Sequence, residues 1–375
     1  MKIRFRTPIF IQAGLGKNAQ PLEELLARWN MYGGVLDEVT NHELQKIVVF
    51  MPQYNQPLNL DSFVHLEVHF FPNSWMGRLQ LIIQLNKCIN KLTQRSVTLV
   101  AGDSYFSPIL ARFIKLICDA SIRIQVQFHG ASYTRQNKNI TSFFKYHLVR
   151  LAIYFSDSIR IVSTFQEYEI QRITSSKQKD YVVSPIPISM IRIPNQRIPH
   201  TGLVILVLGR LHPERGIVEL VELIDLLINE NVDCIVNVVG EGPLRNLLVP
   251  YTQNPERPTK VILHGLRSEL EVSEYLAQSD ILISMAEQEG YGLALREAIL
   301  SGVHVIAKRN SGTQEALAAF PNRMELIDST PEALTIIKNF KPRQIDDDTL
   351  MELRATQELL NLKAVRDLVG SWIKN

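Results

Sequence analysis

The sequence predicts an α/β protein of two domains, each a parallel sheet with helices packed on it. Three observations carry this expectation. The chain has 375 residues, and at roughly 100–200 residues per domain that length suits two cores. Short β-branched runs alternate with helix-period segments through the second half, which is the pattern of βαβ units. Between the halves, SPIPISMIRIPNQRIPHTG at 184–202 holds Pro185, Pro187, Pro194 and Pro199, which prevent a regular helix or central strand, and it reads as the linker. The expected division is residues 1–190, residues 200–350, and a helical tail over 351–375 that packs on the first domain.

In the first half, a first strand is expected just ahead of Gly14. Helix-period segments follow at about 20–31, 75–94, 105–118, 141–155 and 164–173. Between them the β-rich runs are IVVFM at 47–51, VTLVA at 97–101, IRIQVQF at 122–128 and SIRIVS at 158–163. Past the linker the alternation sharpens. LVILVL (203–208) leads to an amphipathic segment at 217–229, and CIVNVV (234–239) to a Gly-Pro turn and an expected helix. KVILHG (260–265) leads to a helix at 269–278, DILISM (280–285) to a helix from Tyr291 to Ser301, and VHVIA (303–307) to a helix after Thr313.

Composition bounds the function classes. With 46% apolar and 21% charged residues and a mean hydropathy of zero, the chain is not collagen-like, coiled-coil or disordered. No apolar run reaches the roughly 18–20 residues of a spanning helix, and the start MKIRFRTPIFIQAG is too short in apolar residues for an export signal. Cys88, Cys118 and Cys234 lie far apart in apolar contexts, as buried reduced thiols do, so a cytoplasmic location is expected. The net charge of +2 hides an asymmetry: residues 1–195 carry 22 Lys+Arg against 13 Asp+Glu, and residues 196–375 carry 18 against 25. A basic front half suits an anionic partner such as nucleic acid, a phospholipid surface or a phosphorylated acceptor; two halves that simply attract each other would show the same balance.

In open parallel sheets ligands bind at the carboxyl ends of the strands, so the strand-to-helix loops of the second half are the candidates. In Gly209-Arg210-Leu211-His212-Pro213-Glu214-Arg215-Gly216 a glycine permits a sharp turn, and two arginines five apart can converge on one anion. Gly240-Glu241-Gly242-Pro243-Leu244-Arg245 is near a dinucleotide fingerprint, but Arg245 stands where G-x-G-x-x-G needs its third glycine, which disfavours a nicotinamide enzyme. Glu289-Gly290-Tyr291-Gly292 opens a helix that carries Glu297. Backbone N–H groups there and two carboxylates at different depths suit a hydroxyl-rich ligand.

The ordered set GRLHPERG, VVGEGPLR, VILHG, SDILIS, EGYGLALREAILSG, VHVIA and SGTQEA resembles the C-terminal domain of family 4 glycosyltransferases, retaining sugar-nucleotide enzymes of the GT-B fold, over residues 203–317. Its most specific feature is Glu289 and Glu297 with seven residues between. The resemblance implies a GT-B fold: two Rossmann-like domains facing across a cleft, with a C-terminal helix crossing back to the first. It implies that Arg210 and Arg215 hold a donor diphosphate, that Glu297 accepts from ribose hydroxyls, and that Glu289 with Gly290, Tyr291 and Gly292 holds the sugar. Gly209, Gly240 and Gly265 would complete the donor-binding strand ends. The first domain resembles the family less closely. His129, after Phe128, matches a strand-end histidine that contacts the donor sugar, and Gly16 lies in a glycine loop facing the phosphates. The family usually has lysine where this chain has Arg215, and a small residue near His304.

The implied reaction is retaining transfer of a sugar from a nucleotide diphosphate to an acceptor hydroxyl in glycan, lipopolysaccharide or exopolysaccharide biosynthesis. No cofactor or metal is implied, because no D-x-D clamp stands in a sheet loop and Asp346-Asp347-Asp348 lies outside the pattern. The implied partners are a sugar nucleotide and a glycan or lipid-linked acceptor, with an anionic membrane surface and no nucleic acid, which places the protein at the inner face of a membrane. The alternative is a GT-B scaffold that binds a sugar nucleotide or a partner without catalysis.

Overall fold

The computed structural model describes residues 5–12, 22–53, 59–92, 95–130, 140–174, 179–254, 256–341 and 347–374. They form two compact units, one of residues 1–185 with 362–375 and one of residues 186–361. Gly14, Gly16 and Asp346 lie outside the described residues.

In the first unit, β1 (Thr7–Ile11), β2 (Ile47–Pro52), β3 (Leu66–Phe71), β4 (Ser96–Ala101), β5 (Ser121–Phe128), β6 (Ser158–Ile161) and β7 (Asp180–Val183) form one sheet. Its order is β3-β2-β1-β4-β5-β6-β7, and every pair is parallel. The helices are α1 (Leu22–Val39), α2 (Trp75–Lys91), α3 (Ser107–Ile117), α4 (Ile140–Phe155) and α5 (Thr164–Thr174). Strand alternation sorts them into two layers. Ile9, Ile11, Phe50, Leu99 and Ile124 pack on α2 and α3, and Val126, Phe128 and Ile161 continue the same face under α4 and α5. Phe10, Val49, Met51 and Val100 point the other way, onto α1 and residues 365–373.

The second unit repeats the plan with β8 (Leu203–Leu208), β9 (Cys234–Val239), β10 (Thr259–Gly265), β11 (Ile281–Ser284), β12 (His304–Lys308) and β13 (Met324–Ile327), ordered β10-β9-β8-β11-β12-β13. Its helices are α6 (Ile217–Asn229), α7 (Glu269–Ala277), α8 (Leu293–Leu300), α9 (Ser311–Ala319) and α10 (Thr330–Asn339); α11 (Asp347–Ile373) starts here and ends in the first unit. The chain order reverses between β8 and β11, so the crevice beyond their carboxyl ends is the switch point where such sheets bind ligands.

Several expectations change. No α-helix follows the Gly-Pro turn at 242–243. Two 3-10 turns, Arg245–Leu247 and Val249–Thr252, occupy that stretch, because Pro250 lacks the N–H that a helix interior needs. The helix expected from Tyr291 starts at Leu293, and the one expected after Thr313 starts at Ser311 behind an Asn310 cap. The α1 helix runs past residue 31 to Val39, and β3, β7, β13 and α10 were not foreseen. Cys118 and Cys234 are buried, whereas Cys88 is only half-buried.

Candidate active site

At the carboxyl edge of the second sheet, Gly209, Gly240 and Gly265 take φ of +145°, +147° and +73°. They tie the strand ends together: the Gly240 N–H donates to the Gly265 carbonyl at 2.8 Å, and the Gly209 N–H donates to Val239 at 3.0 Å. A Cβ on Gly240 would lie 1.9 Å from the Gly209 oxygen, so only glycine lets the two turns approach.

The loop after β8 closes with the 3-10 turn Pro213–Arg215 and then Gly216, at φ +67°. A Cβ there would lie 1.9 Å from the Met285 carbonyl, so Gly216 pins this loop to the end of β11. The pinning brings Arg215 to Glu289, Nη1 donating to Oε2 at 2.5 Å. The Arg215 Nε is buried and has no hydrogen-bond partner among the described residues. Arg210 is half-exposed and reaches Glu214 at 3.4 Å. Gly209, Arg210, Arg215, Ser284 and Glu289 line one recess. Two guanidiniums, already held by carboxylates, therefore stand beside a strand-end cradle.

Glu289 is placed by a contact the sequence did not disclose. A Cβ on Gly312 of α9 would lie 2.3 Å from the Glu289 carbonyl, so the two backbones touch; the only sequence signal was the glycine in SGTQEA. Gly292, at φ +72°, starts α8. Tyr291 is buried, with the Arg296 guanidinium 4.0 Å above its ring and the Arg296 Nε donating to its carbonyl at 3.1 Å. Its ring serves packing.

Glu297 is 2% exposed. Burial pushes its carboxyl above the usual range, and Arg192 opposes that shift. The Arg192 Nη1 lies 3.5 Å from Oε1, while the buried Oε2 has no hydrogen-bond partner among the described residues. Arg192 is itself oriented by Nε donating to Glu269 Oε1 at 3.0 Å, and the Ser189 hydroxyl donates to Glu269 Oε2 at 3.2 Å. Sequence reasoning missed Arg192 and Glu269, because the proline-rich stretch around Arg192 reads only as a linker. The structure thus brings Gly209, Arg210, Arg215 and Glu289 to one recess, with Glu297 and the Gly290–Gly292 turn on the adjoining α8 segment.

His129 lies in the first unit, just past β5. Its surroundings, then the charges of Arg160 and Arg28, push its pKa down. The residue keeps solvent access, which limits the displacement but not its direction, so the ring is neutral at pH 7. Among the described residues no group of three His, Cys, Asp or Glu side chains could hold a metal ion.

Residues 191–335 match the family model described as "Glycosyl transferases group 1". A 107-residue stretch is 36% identical to alpha-monoglucosyldiacylglycerol synthase of Streptococcus pneumoniae, covering 28% of this chain and 24% of that protein. The curated relatives are matched over less than half of their own lengths. Among solved structures, the lipopolysaccharide outer core galactosyltransferase WaaB aligns with 97% of this chain and 99% of its own at TM-score 0.68 and 14% identity. Anabaena HepE, solved with UDP and glucose, aligns over 97% and 99% at TM-score 0.65 and 14% identity. The whole chain therefore has the GT-B fold, and its residues 191–335 carry the sequence pattern of glycosyl transferases group 1.

Proposed function

We propose that this chain is a retaining glycosyltransferase of the family 4 type, moving a hexosyl group from a nucleotide diphosphate to an acceptor hydroxyl in glycan, lipopolysaccharide or exopolysaccharide biosynthesis. The observation that carries the reading is the orphan Oε2 of buried Glu297, on α8, the helix that follows the Glu289 held by Arg215. A buried acceptor without a partner costs roughly 1–3 kcal/mol. A diol that donates to it recovers that cost, and a ribose is such a diol.

In this reading Arg210 and Arg215 exchange their carboxylate partners for the diphosphate and hold the charge that gathers as the glycosidic bond breaks, without a divalent metal. Release of Arg215 frees Glu289 to accept from sugar hydroxyls, next to the Gly290–Gly292 N–H groups. The acceptor is a glycan or a lipid-linked molecule, and the reaction runs on the cytoplasmic side of a membrane. Two relatives fit this class: one is named for a glucosylated diacylglycerol, and another was solved with UDP-glucose.

Thermal shift over a panel of sugar nucleotides, followed by release of free nucleotide from the stabilising donor, tests the reading. The double variant Arg210→Ala/Glu297→Gln is expected to lose both the shift and the release while keeping the far-ultraviolet spectrum. A variant that still turns over donor would remove this site assignment; wild-type stabilisation without release or transfer would instead make the chain a binding scaffold.

A further inference from the structure

Residues 1–195 carry a net charge of +9, from 22 Lys+Arg and 13 Asp+Glu, and +7 of that excess lies on three helices of the first unit. Helices α2, α3 and α4 lie side by side on one face of its sheet, and their sequences contain no aspartate or glutamate. They hold seven basic residues: Arg78, Lys87, Lys91, Arg112, Lys115, Lys145 and Arg150. Lys115 pairs with Asp157; the other six have no carboxylate within ion-pair distance among the described residues. Several lie over rings instead, as Arg78 does at 5.6 Å from Phe106 and Arg150 at 5.7 Å from Tyr146, contacts that leave their charge in place.

The same helices turn large apolar side chains outward. On α2, Trp75 is 69% exposed and Met76 70%, with Leu79 and Ile83 one and two turns on. Leu116 and Phe113 do the same on α3, and Phe144 and Tyr154 on α4. Soluble surfaces carry such residues singly, whereas a contiguous band marks an interaction site. The other helices of the first unit differ: α5, next to α4 on the same face, and α1 and α11 on the opposite one all carry acidic side chains.

We propose that the outer face of α2, α3 and α4 is a membrane-docking surface for anionic phospholipid, with Trp75, Met76, Phe113, Leu116 and Phe144 entering the headgroup region and the basic side chains meeting lipid phosphates. Charge complementarity selects this occupant. A second copy would set like charges against each other, and an aqueous anionic ligand would gain nothing from the exposed rings. An anionic bilayer interface satisfies both kinds of group. No described helix is long and apolar enough to cross a membrane, so the contact is with the interface plane. The inference does not depend on the donor reading, because vesicle binding needs no sugar nucleotide.

The protein supplies its own reporter. Of the three tryptophans, Trp29 and Trp372 are buried and only Trp75 is exposed. The full chain is titrated with phosphatidylglycerol-containing vesicles and with phosphatidylcholine vesicles, at low and high salt. Binding is expected to the anionic vesicles at low salt, with a blue shift of Trp75 emission and quenching by brominated acyl chains. Reversal of four exposed charges (Lys87→Glu, Lys91→Glu, Lys145→Glu, Arg150→Glu) is expected to weaken binding at least about tenfold. The control Lys260→Glu/Lys363→Glu, on exposed lysines outside these helices, should bind as wild type. No binding at low salt, equal binding by the four-charge variant, or binding that leaves Trp75 emission unmoved would each overturn the proposal. So would self-association that Trp75→Ala/Phe144→Ala disperses, which would show that this face is covered by a second copy.

Discussion

At the scale of a single residue, Glu297 is a point where burial works against stability. Its carboxyl is buried with one oxygen unpartnered among the described residues, and desolvation holds its pKa above the ordinary glutamate range. A carboxyl whose folded pKa exceeds its unfolded one keeps its proton more tightly in the native state. Its contribution to stability is therefore present at low pH and lost as pH rises from the ordinary glutamate range through the raised value. Glu297→Gln removes that titration. Melting temperatures of both proteins from about pH 5 to about pH 8 are expected to show wild type losing stability relative to the variant as pH rises. A difference that stays flat across the range would mean that Glu297 is not held above its ordinary value. The same variant is expected to bind donor more weakly, because an amide accepts from two hydroxyls less well than a carboxylate does.

At the scale of elements, the strand-end turns make the site. Gly240→Ala places a Cβ on the Gly209 carbonyl at a φ of +147°, and backbone cannot yield as a side chain would. A loss of at least about 3 kcal/mol is expected, seen as a lowered melting transition of the second unit. Gly130→Ala serves as the contrast, since a Cβ there meets nothing within 4 Å. These turns were legible in the sequence because a glycine after an apolar run has few other meanings. What escaped was of two kinds. The strands β3, β7 and β13 all lie at sheet edges. LEVHFF in β3 and DYVV in β7 carry polar residues that an edge tolerates, which blurs the apolar run. Gly33, inside α1, is there for packing: a Cβ would lie 2.6 Å from both the His65 carbonyl oxygen and its Cβ, and the helix continues past it. That Arg215, Glu289 and Glu297 stand in and just after strand-to-helix loops could be anticipated from the sequence, but not the Arg192 contact to Glu297 or the Gly312 contact to Glu289. Those contacts join segments far apart in sequence, and no local period encodes them.

Across the whole molecule, the chain's last helix completes its first unit. Val365, Leu368, Val369, Trp372 and Ile373 are buried in the core that faces α1. Trp372 has Phe10 edge-on at 5.0 Å and Tyr32 at 5.9 Å. Its indole N–H donates to Gln125 at 2.7 Å, and its carbonyl accepts from the Thr98 hydroxyl at 2.5 Å. At about 1.5–3 kcal/mol for each fully buried large apolar side chain, these five residues together match the whole stability of a typical domain, about 5–15 kcal/mol. A chain ending at Asn361 is therefore expected to lose the first unit and keep the second, whose boundary falls at that residue. Hydrogen exchange read by mass spectrometry separates the outcomes: amides of β1–β7 should exchange fast while β8–β13 stay protected. Trp372→Ala is the graded form, expected to cost about 3–5 kcal/mol, and Trp372→Phe should recover the ring packing but not the bond to Gln125. Protection of β1–β7 that survives the truncation would show that the first sheet folds without its last helix.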